Sequence, residues 1–330
     1  MDRKLAHVDI ASKQAWAPSD FDLIRFRHSA LPSVNFSDVD ISSSMFGIPL
    51  TAPIYVSSMT GGTKVSSDIN QRIAEAIGEL GLAMGVGSQR ISCEKGQRQG
   101  LGLELRRLAG SQPILANFGA ANIPKDPRWL IDELISQVDA NAIFIHLNSL
   151  QEALQIAGDT DWVNVEDNLA YFIECSPVPV IVKEVGFGID VQTAIKLNQM
   201  GAHAIDVAGH GGTRFDAIEV QMNVQAEAQC GVDTFKNWGQ STVECLQEIK
   251  TELPGVEVWA SGGIRNGLDM AKSIALGARY CGVAGAILRS AMVSTDQTIM
   301  TLTRYINELK LTCFACGADK LENLTNKLRS

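Results

Sequence analysis

The chain has 330 residues, 45% of them hydrophobic and 20% charged, with a formal net charge of −9 and no basic run. Such a chain fills a large core without a disulfide or metal staple, and its acidic balance argues against a nucleic-acid partner. No stretch reaches the ~18 apolar residues of a membrane span, MDRKLAHVDIA holds no apolar signal segment, and seven scattered cysteines suit a reducing compartment; a cytoplasmic protein with no membrane partner is expected.

Short β-rich runs alternate with segments of helical period along the chain. The first run, PIYVSS (53–58), leads into SSMTGG (57–62), and a helix is expected where Ile69, Ile73, Ile77 and Leu80 form one stripe. GLAMGVGS (81–88), PILANFG (113–119), NAIFIHLN (141–148) and VPVIVKEVG (178–186) follow, then AHAIDVAG (202–209), VEVWASGG (256–263) and RYCGVAGA (279–286). A second stripe, Ala271, Ile274, Ala275 and Ala278, lies between the last two. Strand–helix alternation implies parallel strands with right-handed crossovers, and eight such units predict an α/β fold of the (β/α)8 TIM-barrel type. With no linker or composition break, residues 1–330 are read as one domain. Cys313 and Cys316 make a lone C-x-x-C, read as two thiols on a C-terminal helix because no second pair completes a zinc site.

Active sites of such barrels lie at the C-terminal ends of the strands, and polar residues recur at that pole here. Thr60 follows the first run, Ser88 and Arg90 the second, and Asn117 ends the third. His146, Asn148, Gln151 and Glu152 crowd the end of the fourth, Lys183 closes the fifth and Thr213 follows the sixth. Ser261-Gly262-Gly263 and Ala284-Gly285-Ala286 follow the seventh and eighth. Glycines between strand and helix let backbone N–H groups converge on an anion, and these two loops are the usual phosphate site of the fold. Amides and hydroxyls at Thr60, Ser88, Asn117 and Thr213 suit the edge of a heteroaromatic ring, with the Lys183 cation near a ring atom that becomes anionic on reduction. This favours FMN over a sugar phosphate, although periodicity leaves both open. The segment 209–234, long for a βα connection, is expected to act with Gly158-Asp159 as a lid.

The ordered set SSMTGG (57–62), GVGSQR (85–90), HLNSLQE (146–152), VKEVGFG (182–188), GHGGT (209–213), NWGQST (237–242) and ASGGIRNGLD (260–269) resembles type 2 isopentenyl-diphosphate Δ-isomerase. The likeness runs from Arg3-Lys4 to Ala284-Gly285. It implies an FMN-binding barrel with a short N-terminal substrate-binding arm (about residues 1–10). Met59, Thr60, Gly61, Ser88, Asn117, Lys183 and Thr213 would hold the flavin ring and ribityl chain, and Gly262, Gly263, Ala284 and Gly285 its phosphate. Arg3, Lys4, His7, Arg90 and His146 would face the substrate diphosphate; for Arg3, Lys4 and His7 plain solvation is the ordinary reading, reversed only by the resemblance. Gln151 would contact the substrate near its double bond, with His146 and Asn148 in the same catalytic group, and Glu152 would bind Mg²⁺. A carboxylate in a first helical turn is otherwise simply favourable to the helix dipole.

The chain departs from the family pattern at Ser149, where proline is frequent, at Gln155-Ile156-Ala157-Gly158-Asp159, and at Ala208, where serine is frequent. The implied reaction shifts a double bond, with one proton added and one removed. A hydrocarbon is a poor base and these side chains include no obvious acid pair for it; reduced FMN would act as the acid/base, with NADPH or NADH as transient reductant, since no G-x-G-x-x-G fingerprint is present. A homo-oligomer is the expected assembly. The alternative is an FMN-dependent 2-hydroxy-acid oxidase, with His210 of GHGGTRFD (209–216) as base; Thr213 interrupts the H-G-G-R pattern of that class.

Overall fold

Eight short parallel strands form one ring in the computed structural model, which describes residues 3–14, 19–223 and 230–329. A small antiparallel hairpin, β1 (Ser43–Met45) and β2 (Ile48–Leu50), comes first. The ring follows as β3 (Ile54–Val56), β4 (Ala83–Gly85), β5 (Ile114–Gly119), β6 (Ala142–Leu147), β7 (Val180–Glu184), β8 (Ala204–Asp206), β9 (Val258–Trp259) and β10 (Cys281–Val283). The sheet order is β10-β3-β4-β5-β6-β7-β8-β9. A parallel bridge between Ala260 and Cys281, with Ala260 N–H donating to Tyr280 O at 2.9 Å and Gly282 N–H to Ala260 O at 2.7 Å, joins β9 to β10. The eight runs read from the sequence are these eight strands, and the fold is a TIM barrel.

Alternate residues of each strand face opposite sides. Tyr55, Ala83, Leu115, Ala142, Phe144, Ile181, Ala204, Trp259 and Tyr280 pack inside the ring with Met45 and Leu50 of the hairpin. Ile54, Val56, Met84, Ile143, Ile145, Val182 and Ile205 pack outward against the helices. The same parity carries Asn117, His146, Lys183 and Asp206 inward at the C-terminal pole, whereas Glu184 turns to the helix layer. Tyr280 OH donates to Ser44 O, fastening the hairpin to the opposite pole.

Trp259 is the central plug, fully buried and edge-on to Tyr280 (centroids 4.8 Å apart, 72° between planes) and Phe144 (5.8 Å, 89°). Trp259→Ala is expected to cost about 3–5 kcal/mol by opening a cavity that a closed ring of strands cannot collapse. A urea midpoint unchanged from wild type would show that the ring can repack.

The helices start and stop on local signals. The first expected stripe lies on Lys64–Leu80, which begins on the Thr63 side chain accepting from Ser66 N–H and ends at left-handed Gly81. Ser241 and Glu244 form a reciprocal capping box on Thr242–Glu252. The N-terminal segment forms a helix, Arg3–Lys13. The segment 209–234 is not a plain loop: it carries the helix Phe215–Met222, and residues 224–229 fall outside the described part. Cys313 and Cys316 are buried at the end of the helix Thr295–Ala315, and burial pushes the Cys313 thiol up to about 12. Among the described residues, no helix is long and apolar enough to cross a membrane.

Candidate active site at the C-terminal pole

A cavity of about 640 Å³ opens at the C-terminal ends of the strands. The interior parity and the βα loops deliver polar groups to it, and most sequence-predicted site residues line it. Met59, Thr60, Gly61, Ser88, Asn117, Lys183 and Thr213 form part of its wall, with Gly262, Gly263, Ala284 and Gly285 at one end. His7, Arg90, His146, Asn148, Gln151 and Glu152 line the other part of the wall. Arg3 and Lys4 open the N-terminal helix, but their side chains lie outside the described residues. His210 is not among the lining residues; its backbone N–H donates to Gln240 O at 2.9 Å and it bridges to Ser241.

The glycine end is tightly built. Gly262 and Gly263 have φ of +87° and +72°, a region glycine enters without strain. A Cβ on Gly262 would collide with Gly209 O, and one on Gly212 would lie 2.7 Å from Gly263 N, so the loops after β8 and β9 meet backbone to backbone. Thr242 Oγ1 binds Gly262 O at 2.7 Å and accepts from Gly209 N–H at 3.2 Å, holding the two loops together. The helix Gly285–Val293 starts at this end with no side-chain cap, leaving its first N–H groups for a ligand. Arg289, one turn into it, also lines the cavity. Its signal in the sequence was the i+4 spacing from Gly285, which the glycine pattern alone did not suggest. Ala208, where the family frequently has serine, adopts φ +39°, a strained conformation for a residue with a Cβ.

His146 and Asn117 form one unit. Nδ1 of His146 lies 3.0 Å from Asn117 Oδ1, which can only accept, so Nδ1 carries the proton and Nε2 is left as an acceptor. Burial, and secondarily the Lys183 charge, lower the His146 pKa to about 3. The ring is therefore neutral at physiological pH in the ligand-free protein. It offers the cavity an acceptor nitrogen rather than a cation.

The end of β6 runs straight into the helix Ser149–Leu154, so replacing the frequent proline by Ser149 leaves the helix start in place. Asn148 Nδ2 donates to Glu152 Oε1 at 2.8 Å and to Gln151 Oε1 at 3.3 Å. Glu152 Oε2 accepts from Asp159 N–H at 2.8 Å. Asn148 Oδ1 is buried without a partner. Gly158 is required here, because a Cβ would collide with Glu152 O. Arg90 pairs with Asp159 and, at 2.8 Å, with Glu94.

Two carboxylates, Glu219 and Asp206, escaped the sequence reading, and a third, Glu184, was read as facing the helix layer and given no role. Glu219, on the helix Phe215–Met222, is buried and bonds both His7 Nε2 (2.9 Å) and Gln151 Nε2 (3.0 Å). It ties the N-terminal helix, the β6 loop and the β8 loop together over the cavity. Glu184 accepts from the N–H groups of Val185, Gly186 and Phe187 at 2.6, 2.7 and 2.5 Å and so shapes the loop after β7. Burial nevertheless raises its pKa to about 7. Asp206 lies inside the barrel below the cavity. Each is separated in sequence from its partners or bonded to backbone, so no spacing pattern marked it. Lys183 donates to the Glu184 backbone carbonyl at 2.6 Å, not to its carboxylate, as opposite strand faces require.

Comparison with known proteins gives the class first. The family model for FMN-dependent dehydrogenases matches residues 115–330. Solved structures with the same fold include a flavocytochrome b2 variant with benzoylformate (TM-score 0.73, 17% identity, covering 98% of this chain and 82% of that one). A mandelate oxidase variant with an FMN adduct is another (TM-score 0.68, 18% identity, 98% and 91% covered).

The particular family is narrower. The chain is 41% identical over 324 residues to the isopentenyl-diphosphate delta-isomerase of Vibrio campbellii, covering 98% of this chain and 95% of that one. It is 42% identical over 327 residues to the enzyme of that name from Cronobacter sakazakii, with 98% and 94% covered. The chain belongs to the isopentenyl-diphosphate delta-isomerase family.

Proposed function

We infer that the protein interconverts isopentenyl diphosphate and dimethylallyl diphosphate by a redox-neutral 1,3-proton shift, as one domain over residues 1–330 that uses reduced FMN and Mg²⁺. The observation that carries this reading is the junction of His7, Gln151 and Glu219 over a cavity whose other end is a glycine cradle. A hydroxy-acid oxidase has no use for that junction, and the histidine it would need, His210, stands off the cavity.

The residues present suit FMN. Ser57 Oγ and Ser58 Oγ are buried on the cavity wall without partners, and Gly285, at the uncapped start of its helix on that wall, faces open space, a Cβ there having its nearest contact at 3.8 Å. Thr60, Ser88, Asn117, Lys183 and Thr213 would hold the ring and ribityl chain, and Gly262, Gly263, Ala284 and Gly285 the phosphate. Reduced FMN supplies proton-carrying ring nitrogens, a resource the side chains lack. Arg3, Lys4, His7 and Arg90 would bind the substrate diphosphate, and His146 would join them through Nε2 once the anion brings a proton to that nitrogen. Gln151, its amide oriented by Glu219 and Asn148, would sit beside the substrate's double bond. The oxygen donors at the other end of the cavity suit a hard cation held together with a diphosphate. Mg²⁺ takes one carboxylate with phosphate oxygens and water, and Glu152 beside the free Asn148 Oδ1 provides hard oxygens for that.

The test is an anaerobic assay with isopentenyl diphosphate, Mg²⁺ and FMN, with and without dithionite or a reduced nicotinamide. Turnover should require reductant, and lactate or glycolate should not bleach the oxidised flavin. Equal turnover by flavin-free protein would end the flavin reading; rapid bleaching by a hydroxy acid would favour the oxidase.

A further inference from the structure

The floor of the cavity holds a buried polar cluster to which the isomerase reading gives no task. Asp206 is 0% exposed and stands beside Lys183, its register partner on the neighbouring parallel strand, both facing the barrel interior. Tyr55 OH donates to Asp206 Oδ2 at 2.6 Å, and Ser261 Oγ donates to Oδ1 at 2.7 Å. The Ala208 N–H also bonds it, from the strained residue that leads into the β8 glycines. Lys183 and Ser261 line the cavity, while Tyr55 and Asp206 lie beneath it. Gly282 makes room for the cluster, since a Cβ there would lie 2.6 Å from Ser57 Oγ and collide with the Tyr55 hydroxyl.

A carboxylate at the bottom of a barrel is costly. Burial raises its pKa, against the Lys183 charge and the three donors. A core built for stability alone would place an apolar residue there, as Ala204 does one step down the same face of β8. Two features point to a task. The donors converge on both oxygens, which suits the ionised form. Among the described residues the cation at the same level of the barrel is Lys183, Asp206's partner on β7, the residue that would meet a ring atom that becomes anionic on reduction.

We propose that Asp206 acts on the flavin through Lys183: held by Tyr55 and Ser261, its carboxylate partly offsets the charge of the Lys183 ammonium, which the Glu184 carbonyl holds in place, and so sets how strongly the site favours reduced over oxidised FMN. This rests on the FMN reading above. An ionised Asp206 shares the Lys183 charge, leaving less of it for the ring. Removing the carboxylate charge frees the full cation and makes reduction easier.

The test uses the FMN-loaded protein and reads the flavin midpoint potential together with the dissociation constants of oxidised and reduced FMN. Asp206→Asn keeps the size and can still accept from Tyr55. It should shift the oxidised-to-reduced ratio of dissociation constants about tenfold toward reduced FMN, which for a two-electron couple is about 30 mV upward. In a Lys183→Met background the same substitution should produce no further shift. An unchanged potential in Asp206→Asn that still binds FMN would reduce Asp206 to core support and overturn the proposal. A shift of equal size without Lys183 would overturn it too, because Asp206 would then act on the ring directly. Should Asp206→Asn not fold, Tyr55→Phe removes one donor and should move the potential in the same direction by less; no movement there overturns the proposal. Wild-type protein that takes up no FMN would overturn the functional reading and this inference with it, an outcome distinct from all of these.

Discussion

Glu152→Gln is expected to raise the Mg²⁺ concentration needed for half-maximal turnover about 100-fold, equivalent to about 2.7 kcal/mol of metal binding, and to leave FMN binding near its original level. The substitution preserves the side-chain shape and its place beside Asn148, whose Nδ2 lies 2.8 Å from Glu152 Oε1. What it removes is the negative charge that a hard divalent cation selects. The glycine cradle is at the other end of the cavity, so FMN uptake should not follow the metal. A Mg²⁺ titration of the variant that overlays the wild type would show that Glu152 only caps its loop through Asp159 N–H.

Gln151→Ala, one residue earlier, should behave oppositely: turnover falls about 100-fold, the effect of losing one positioned hydrogen-bonding group in a buried site, with the Mg²⁺ curve unmoved. Gln151 Nε2 donates to Glu219 Oε1 at 3.0 Å and its Oε1 accepts from Asn148, so the amide orientation is fixed before substrate arrives. Neighbouring positions in one helix turn point about 100° apart, which is why adjacent residues can serve the double bond and the metal separately. Parallel loss of turnover and metal affinity in both variants would mean that the two act as one unit and that the division of labour is wrong.

The neutral state of His146 has a pH consequence. Its folded pKa, about 3, lies below the unfolded value near 6.5. The unfolded chain therefore binds the extra proton first, and the His146 contribution to stability is complete above about pH 6.5 and is lost progressively toward pH 3. A ring carbon NMR titration of the ligand-free protein should show His146 unprotonated at pH 5; protonation there would mean that the ring sees solvent.

How much of this was visible in the chain follows from what each feature depends on. Eight strand runs, their order and the glycines after β9 and β10 are local patterns, and parity along a strand is set by its own dihedrals. These placed Asn117, His146 and Lys183 at one pole, and the motif set pointed to the family. The helix inside 209–234 was missed because Phe215–Met222 buries its face against the N-terminal helix and the β6 loop, partners more than 60 residues away.

The sequence by itself determined the barrel, the pole that carries the chemistry and most of the cavity wall, because strand period, turn glycines and caps act over a few residues. Only the tertiary structure decided that Glu219 joins His7 to Gln151, that Arg90 reaches Asp159, and that Asp206 lies under Lys183 with Tyr55 and Ser261. Those bonds span 55 to 212 positions in separation, and Lys183 and Asp206 meet as partners on neighbouring strands. The shifted charge states of His146 and Glu184 follow from burial, which exists only once the ring has closed.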